Sequence, residues 1–185
     1  SREDAVSYGI TGPFLRSTGV PYDVRKAHPY AAYREVEFEI PVGENGDCYD
    51  RYKVRMAEME QSMRIIEQAL GKLPKGPVNV EDPRFVFPPK QAVYTTIEGM
   101  INHFRLVYDD VHPPKGEAYG YAEGGNGEVG FYVVSDGGNK PLKCRVRPPC
   151  FTIVAALGKI LEGHMVADIV PIYGSVNMIG GEMDR

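Results

Sequence analysis

Asp47-Cys48-Tyr49-Asp50-Arg51-Tyr52-Lys53-Val54-Arg55-Met56-Ala57-Glu58-Met59-Glu60-Gln61-Ser62-Met63-Arg64-Ile65-Ile66-Glu67-Gln68-Ala69-Leu70 is the longest stretch of this chain with one readable period. Within it Tyr52, Met56, Met59, Met63, Ile66 and Leu70 follow one another at intervals of 4, 3, 4, 3 and 4, which lays them along one stripe of an α-helix. Gly46 precedes the stretch and Gly71 follows it, so the spacing predicts a helix over 47–70. Asp47 is placed to cap its first turn. Asp47 with Arg51, and Glu60 with Arg64, are acid-first i,i+4 pairs, each worth ~0.2–0.5 kcal/mol. The stripe is expected to face the core, with methionine as a pliable filler of gaps.

Toward the N-terminus, residues 1–46 form an irregular lead-in whose glycines and prolines keep any helix short. Val36, Phe38 and Ile40 alternate with glutamates there, as in a half-buried strand. Toward the C-terminus, Pro74, Pro77, Pro83, Pro88 and Pro89 make 71–90 a connector. A second helix is expected to carry Ile97, Met100, Ile101, Phe104 and Val107 on one side and to end at His112-Pro113-Pro114. Strands are then expected at 128–134 and 142–146, hinged at Asp136-Gly137. Gly124-Gly125-Asn126-Gly127 reads as a turn, since no Gly-Lys-Ser/Thr ending or following helix makes it a phosphate loop. In the second strand Leu142, Cys144 and Val146 point one way, and Lys143, Arg145 and Arg147 form a basic ladder on the other. Phe151–Leu161 and Met165–Tyr173 read as deeply buried apolar helices, the latter bent at Pro171.

The chain has 185 residues, 43% of them hydrophobic and 25% charged, which suits one domain with a core rather than a disordered segment. With 21 basic and 25 acidic residues its net charge is −4, and it lacks the basic excess of a nucleic-acid binder. No apolar run approaches the ~18 residues of a membrane span. Cys48, Cys144 and Cys150 form no Cys-x-x-Cys pair, so each is expected to be a core residue or an incidental thiol in a reducing compartment. His28, His103 and His164 have no second ligand at metal-binding spacing and read as surface or satisfied histidines. No paired carboxylates share an apolar face, and there is no nucleophile elbow. Pattern alone therefore gives an α+β domain without a catalytic site. The opening of the chain without Met, and apolar helices needing more cover than a small sheet supplies, lead us to expect a fragment.

Several runs carry a resemblance. They are Gly12-Pro13-Phe14-Leu15-Arg16-Ser17-Thr18-Gly19, Asp23-Val24-Arg25-Lys26, Pro29-Tyr30 with Tyr33, and Gly46-Asp47-Cys48-Tyr49-Asp50-Arg51-Tyr52. Gly127-Glu128-Val129-Gly130, Ser135-Asp136-Gly137, Gly163-His164-Met165, Ala167-Asp168 and Gly181-Glu182-Met183-Asp184-Arg185 continue them in order. Together they resemble the C-terminal half of the hydrogenase-related subunit of the proton-pumping NADH–quinone oxidoreductase, respiratory complex I. That family is similar in turn to the large subunit of nickel–iron hydrogenases, whose tail binds metal through Asp-Pro-Cys-x-x-Cys. Aligned on Arg185, those positions fall on Asn177, Met178, Ile179 and Glu182. Both thiolates are gone, so a soft-metal site cannot persist there. The family usually has Asp at the position of Asn177 and Gly at that of Cys150.

The resemblance implies an α+β, mostly helical, hydrogenase-large-subunit-like fold with a small antiparallel sheet. Residues 1–185 would be one C-terminal piece of a longer domain: lead-in 1–46, two helices and connector 47–110, hairpin region 119–147, buried helices and tail 150–185. It implies a part of the quinone-reaction chamber, helping electrons pass from a neighbouring subunit's iron–sulfur cluster to a quinone such as ubiquinone, coupled to proton translocation. The expected lining is Gly174, Ser175, Asn177, Met178, Ile179, Gly180, Gly181, Glu182 and Arg185, with no catalytic residue and no metal in this stretch. Gly174, Gly180 and Gly181 would let backbone approach a flat ligand, and Arg185 would be held by an acidic or carbonyl partner. No cofactor would be bound by this chain, since FMN and NADH belong elsewhere in the complex, and the quinone-side His and Tyr lie in the family's other half. Expected partners are the cluster-bearing neighbour and the membrane-arm subunits, at the cytoplasmic face of a bacterial inner membrane or the mitochondrial matrix side. The isolated chain is expected to be inactive. The alternative is a non-catalytic structural subunit of a related membrane-bound hydrogenase-type complex.

Overall fold

The computed structural model describes residues 1–109 and 111–184; Asp110 and Arg185 lie outside the described residues. The chain divides into two compact units, one of Ser1–Leu73, Tyr119–Phe131 and Val146–Arg185, the other of Pro74–Ala118 and Tyr132–Arg145. Helix and a small sheet make it an α+β protein.

The first unit opens with α1 (Arg2–Ser7), α2 (Gly12–Arg16) and α3 (Val24–Ala27). Each is short because a glycine or proline stands within a few residues of its end. In α1 the Asp4 N–H donates to the Ser1 hydroxyl, and in α3 the Arg25 N–H donates to the Asp23 carboxylate. All five residues of α2 are buried. Ala5, Ile10, Phe14 and Leu15 from this region meet Ile153, Ala156 and Val176 from the C-terminal helices in one apolar cluster. Each large aliphatic or aromatic member contributes roughly 1.5–3 kcal/mol by burial.

The long helix, α4, runs Cys48–Gly71, and the Asp50 N–H donates to the Asp47 carboxylate at 2.7 Å. Its extent and cap are those read from the sequence. Its orientation is not: Tyr52, Met56, Met59, Met63, Ile66 and Leu70 are all between 45% and 67% exposed. The face turned inward is Asp50, Arg51, Val54 and Gln61. Polar groups win that face because their partners are already there, namely backbone amides of 44–45, the C-terminus of a later helix and the extended segment 36–40. Neither Asp47–Arg51 nor Glu60–Arg64 forms an ion pair among the described residues.

Segment 36–40 shows the expected alternation, with Val36 and Phe38 each 6% exposed, yet it is not a strand. Its amides pair with α4 side chains instead. The Glu37 N–H donates to Gln68 Oε1 at 2.8 Å, Gln68 Nε2 returns a bond to the Glu37 carbonyl at 2.7 Å, and the Glu39 N–H donates to Gln61 Oε1 at 3.0 Å. Two glutamines thus do what a neighbouring strand would do.

Three strands form a sheet in the order β1 (Gly116–Gly124), β2 (Gly127–Ser135) and β3 (Lys143–Arg147). The turn between β1 and β2 is Gly125-Asn126. Gly127 has φ +134°, and a Cβ there would strike Thr11 and Gly12, so only glycine lets the turn lie so close to the start of α2. Of the basic ladder, Arg147 is drawn into the fold, its guanidinium donating to the carbonyls of Gly9 and Glu128 and to the Thr11 hydroxyl. Cys144 is exposed rather than in a core.

The expected helix 151–161 is two helices, α7 (Pro149–Ala155) and α8 (Leu157–Leu161), interrupted at Ala156. Residues Val166–Asp168 form a 3-10 turn leading into α9 (Ile169–Val176). Pro171 falls in the first turn of α9, where its missing N–H costs nothing because the first backbone donors of a helix have no intrahelical partner. Both stretches are half-exposed rather than deeply buried: Ile153 and Ile172 are inside, but Val166 is 84% and Val170 77% exposed.

In the second unit the expected second helix starts earlier and breaks in the middle. Helices α5 (Lys90–Thr95) and α6 (Ile97–Phe104) are separated at Thr96, which is extended, and the Gly99 N–H donates to its hydroxyl. A π-helical turn, Arg105–Asp109, follows. Residues 72–89 contain no regular element, as the prolines require. His103 lies beside Phe87. The Asp136–Gly137 reversal is present, with the Gly138 N–H donating to Asp136 Oδ1.

Candidate functional site

The C-terminal tail is built on Asn177, which ends α9 in the left-handed conformation, φ 57° and ψ 47°. Asparagine tolerates that region better than most side chains. Its Nδ2 donates to Asn126 Oδ1 at 2.9 Å, while Asn126 Nδ2 donates to the Asn177 carbonyl at 2.8 Å and to Cys150 Sγ at 3.3 Å. The Ile179 N–H also donates to Cys150 Sγ, at 3.4 Å. At the end of the 3-10 turn Gly180–Glu182, the Glu182 carboxylate accepts the Cys150 N–H at 3.0 Å. Pro148-Pro149 leaves that N–H free at the start of α7, so a carboxylate there meets an otherwise unpaired helix donor. Cys150 is fully buried, and burial, then the nearby Glu182, pushes its thiol pKa up.

Two arginines one turn apart on α4 grip the other side of the tail. Arg51 Nε donates to the Ser175 hydroxyl at 2.9 Å, Nη1 to the Gly46 carbonyl and Nη2 to Cys48 Sγ. Arg55 Nη2 donates to the Val176 carbonyl at 3.3 Å. Cations at a helix C-terminus are favourable, since the last carbonyls there are unpaired and carry partial negative charge. Neither arginine has a carboxylate within ion-pair distance among the described residues, and burial lowers the pKa of both. Arg55 Nε is buried without a partner among the described residues.

A second buried polar centre lies at α2. Arg16, 1% exposed, donates from Nε to Glu58 at 2.6 Å and from Nη1 to Glu123 at 2.8 Å and to the Tyr22 carbonyl at 2.9 Å. Asp23 stands 3.7 Å away and binds Arg25 at 2.7 Å. Burial, reinforced by Asp23, raises the Glu123 pKa despite Arg16.

A cleft of about 330 Å³ in the first unit is walled by Tyr8, Ile10, Phe14, Ile160 and Ile172, with Arg51 and His164 at its polar edge. None of the tail residues expected to line a ligand chamber lines it, though Arg51 joins it to Ser175. The structure brings Ser175, Asn177, Ile179 and Glu182 under two sets of hydrogen bonds, Ser175 with Arg51 and the other three around Asn126 and Cys150. Gly174, Gly180 and Gly181 stand in the open, where a Cβ would meet nothing within 4 Å. Met178 packs against the core cluster and Ile179 is 48% exposed. The expectation for Arg185 falls outside the described residues. Asn126, Arg51 and Arg55 were not legible as site residues, because a turn asparagine and helix arginines are ordinary in sequence. Among the described residues no group of three His, Cys, Asp or Glu is placed to hold a metal, and no helix is long and apolar enough to cross a membrane.

The α+β fold is the class expected from the sequence, and comparison with known proteins supports the family resemblance. The family model described as "Respiratory-chain NADH dehydrogenase, 49 Kd subunit" matches residues 1–185. The chain is 55% identical over 186 residues to an NADH-quinone oxidoreductase subunit of Sorangium cellulosum, covering 100% of this chain and 46% of that protein. It is 52% identical to the corresponding protein of Myxococcus xanthus, covering 45% of it, and 48% identical to that of Geobacter metallireducens, covering 47%. The chain belongs to the family of the 49 kDa subunit of the respiratory-chain NADH dehydrogenase, whose bacterial members are named as subunits of NADH-quinone oxidoreductase. It spans a little under half the length of these relatives.

Proposed function

We propose that this chain forms part of the quinone-reaction chamber of an NADH–quinone oxidoreductase, with Gly174, Ser175, Asn177, Met178, Ile179, Gly180, Gly181, Glu182 and Arg185 along its wall. The chain would be the C-terminal part of a longer, hydrogenase-like domain. The observation that carries this reading is the tail itself: it is tied down by Asn126, Cys150, Arg51 and Arg55, yet leaves Ile179 and three glycines open to a ligand. A segment is poorly ordered unless something ties it down. Ile179 and Glu182 supply no soft donor, and Glu182 is occupied with Cys150, so a thiolate-held nickel centre does not fit.

In this reading electrons reach quinone from an iron–sulfur cluster on a neighbouring subunit, coupled to proton translocation, and this chain holds no cofactor of its own. Its side chains position the quinone ring and keep the wall apolar, while redox potential belongs to the cofactors. Other subunits of the complex, including those of the membrane arm, would cover its exposed apolar helices, and the chain would sit peripherally at the membrane. The test is Ile179→Phe in the assembled enzyme. Quinone reduction or sensitivity to quinone-site inhibitors is expected to change while reduction of an upstream artificial acceptor by NADH does not. A normally assembled variant with both quinone properties unaltered would remove Ile179 from the chamber.

A further inference from the structure

The geometry points to Asn126 as a positioning residue for the quinone-chamber tail, its amide setting where Ile179 and the glycines behind it lie. The inference rests on the chamber reading above and goes a step beyond it, because Asn126 belongs to a hairpin turn outside the tail. Asn126 is 2% exposed, and its primary amide is engaged at both ends. Oδ1 accepts from Asn177 Nδ2, and Nδ2 donates to both the Asn177 carbonyl and Cys150 Sγ. That orientation cannot be reversed: turning the amide over would set its oxygen against a carbonyl oxygen and its N–H₂ against another N–H₂.

The consequence runs outward along the tail. Cys150 Sγ accepts from Asn126 and from the Ile179 N–H, so the sulfur links the hairpin turn to the residue expected to touch quinone. The Cys150 N–H then fixes Glu182 at the end of the 3-10 turn. Turn, thiol and tail form one chain of contacts in which Asn126 touches both the αL residue and the sulfur.

Asn126→Asp tests this in the assembled oxidoreductase, because it keeps the shape and the acceptor and removes both donated bonds. Two measurements separate the clamp from the chamber: hydrogen exchange over residues 177–183, and the KM for a short-chain quinone beside kcat and the rate with an upstream acceptor. Tail exchange is expected to quicken by about tenfold, the scale of losing one or two hydrogen bonds. The quinone KM should rise by about threefold or more with kcat much less affected and the upstream rate unchanged. Asn177→Gly is the second variant, since glycine accepts the αL backbone and only the Asn177–Asn126 side-chain bond is lost; it should show the same changes on a smaller scale. Unchanged tail exchange in both variants overturns the clamp, whatever the kinetics do. Faster exchange with unaltered quinone KM and inhibitor sensitivity upholds Asn126 as the holder of the tail and overturns the placing of that tail in the chamber.

Discussion

Arg16 and Glu123 lie 107 positions apart and meet at 2.8 Å with side chains 2% and 4% exposed. Arg16 also holds Glu58, so one guanidinium answers carboxylates from α4 and β1 inside the first unit. Arg16→Met should therefore destabilise the chain by about 3–5 kcal/mol in denaturant unfolding, the cost of leaving buried charge unpaired. Its deficit should shrink as pH falls, because the orphaned carboxylates would bind protons more tightly folded than unfolded. Adding Glu123→Gln should restore part of the loss. A deficit that grows toward acid pH would contradict this account.

Asp50 supplies the opposite pH dependence. Lys53, then the backbone amides of Asn45 and Glu44, hold its carboxylate well below the usual value of 3.8. A depressed folded pKa gives stability that is whole above the unfolded value and lost as pH falls through the folded one. Thermal unfolding should show the loss setting in below about pH 4. Asp50→Asn should unfold at lower temperature at neutral pH and show a shallower acid slope. Parallel acid profiles for the two proteins would exclude Asp50 as a source of the slope.

The two faces of α4 should respond unequally to substitution in the chain by itself. Met63, 58% exposed, should accept Asp within about 0.5 kcal/mol. Gln61→Leu strands the Glu39 N–H and should cost about 1–3 kcal/mol. For scale, Ile153→Ala in the apolar cluster should cost about 2–5 kcal/mol. Equilibrium unfolding in urea ranks the three; Met63→Asp emerging as the most damaging would show that the stripe faces inward after all.

The cysteines should separate cleanly by reactivity. Cys144 is exposed on β3, whereas Cys150 is buried with its thiol pKa raised. A maleimide at neutral pH should label Cys144 readily and leave Cys150 untouched until denaturant is added, as peptide mass spectrometry can show. Rapid native labelling of Cys150 would mean that the tail does not cover it.

Local grammar was readable and facing was not. Asp47 as cap, the prolines of 72–89 and both reversals of the sheet follow from backbone chemistry that each residue carries with it. The inward face of α4 does not, because hydrophobic period assumes that the apolar stripe meets this chain's own core, and here the inner side is claimed by Arg51, Val54 and Gln61. Segment 36–40 misled for a related reason: alternation reports burial on one side, not what its amides pair with. Cys150 and Glu182 could be named from the sequence but not joined, since their contact depends on Pro149 leaving a helix donor free. Asn126 carried no sign at all.

Gln61 and Gln68 are separated by two turns of α4, and together they hold Glu37 and Glu39 by the backbone. A single residue inserted between them would turn one amide by about 100° away from its partner, so this interval admits substitution more readily than a change of length. The outward stripe is under no such constraint from its own chain. Over evolutionary time the amides should hold still while Met56, Met59 and Met63 drift with whatever surface meets them, so that one helix records two separate histories of selection on opposite sides.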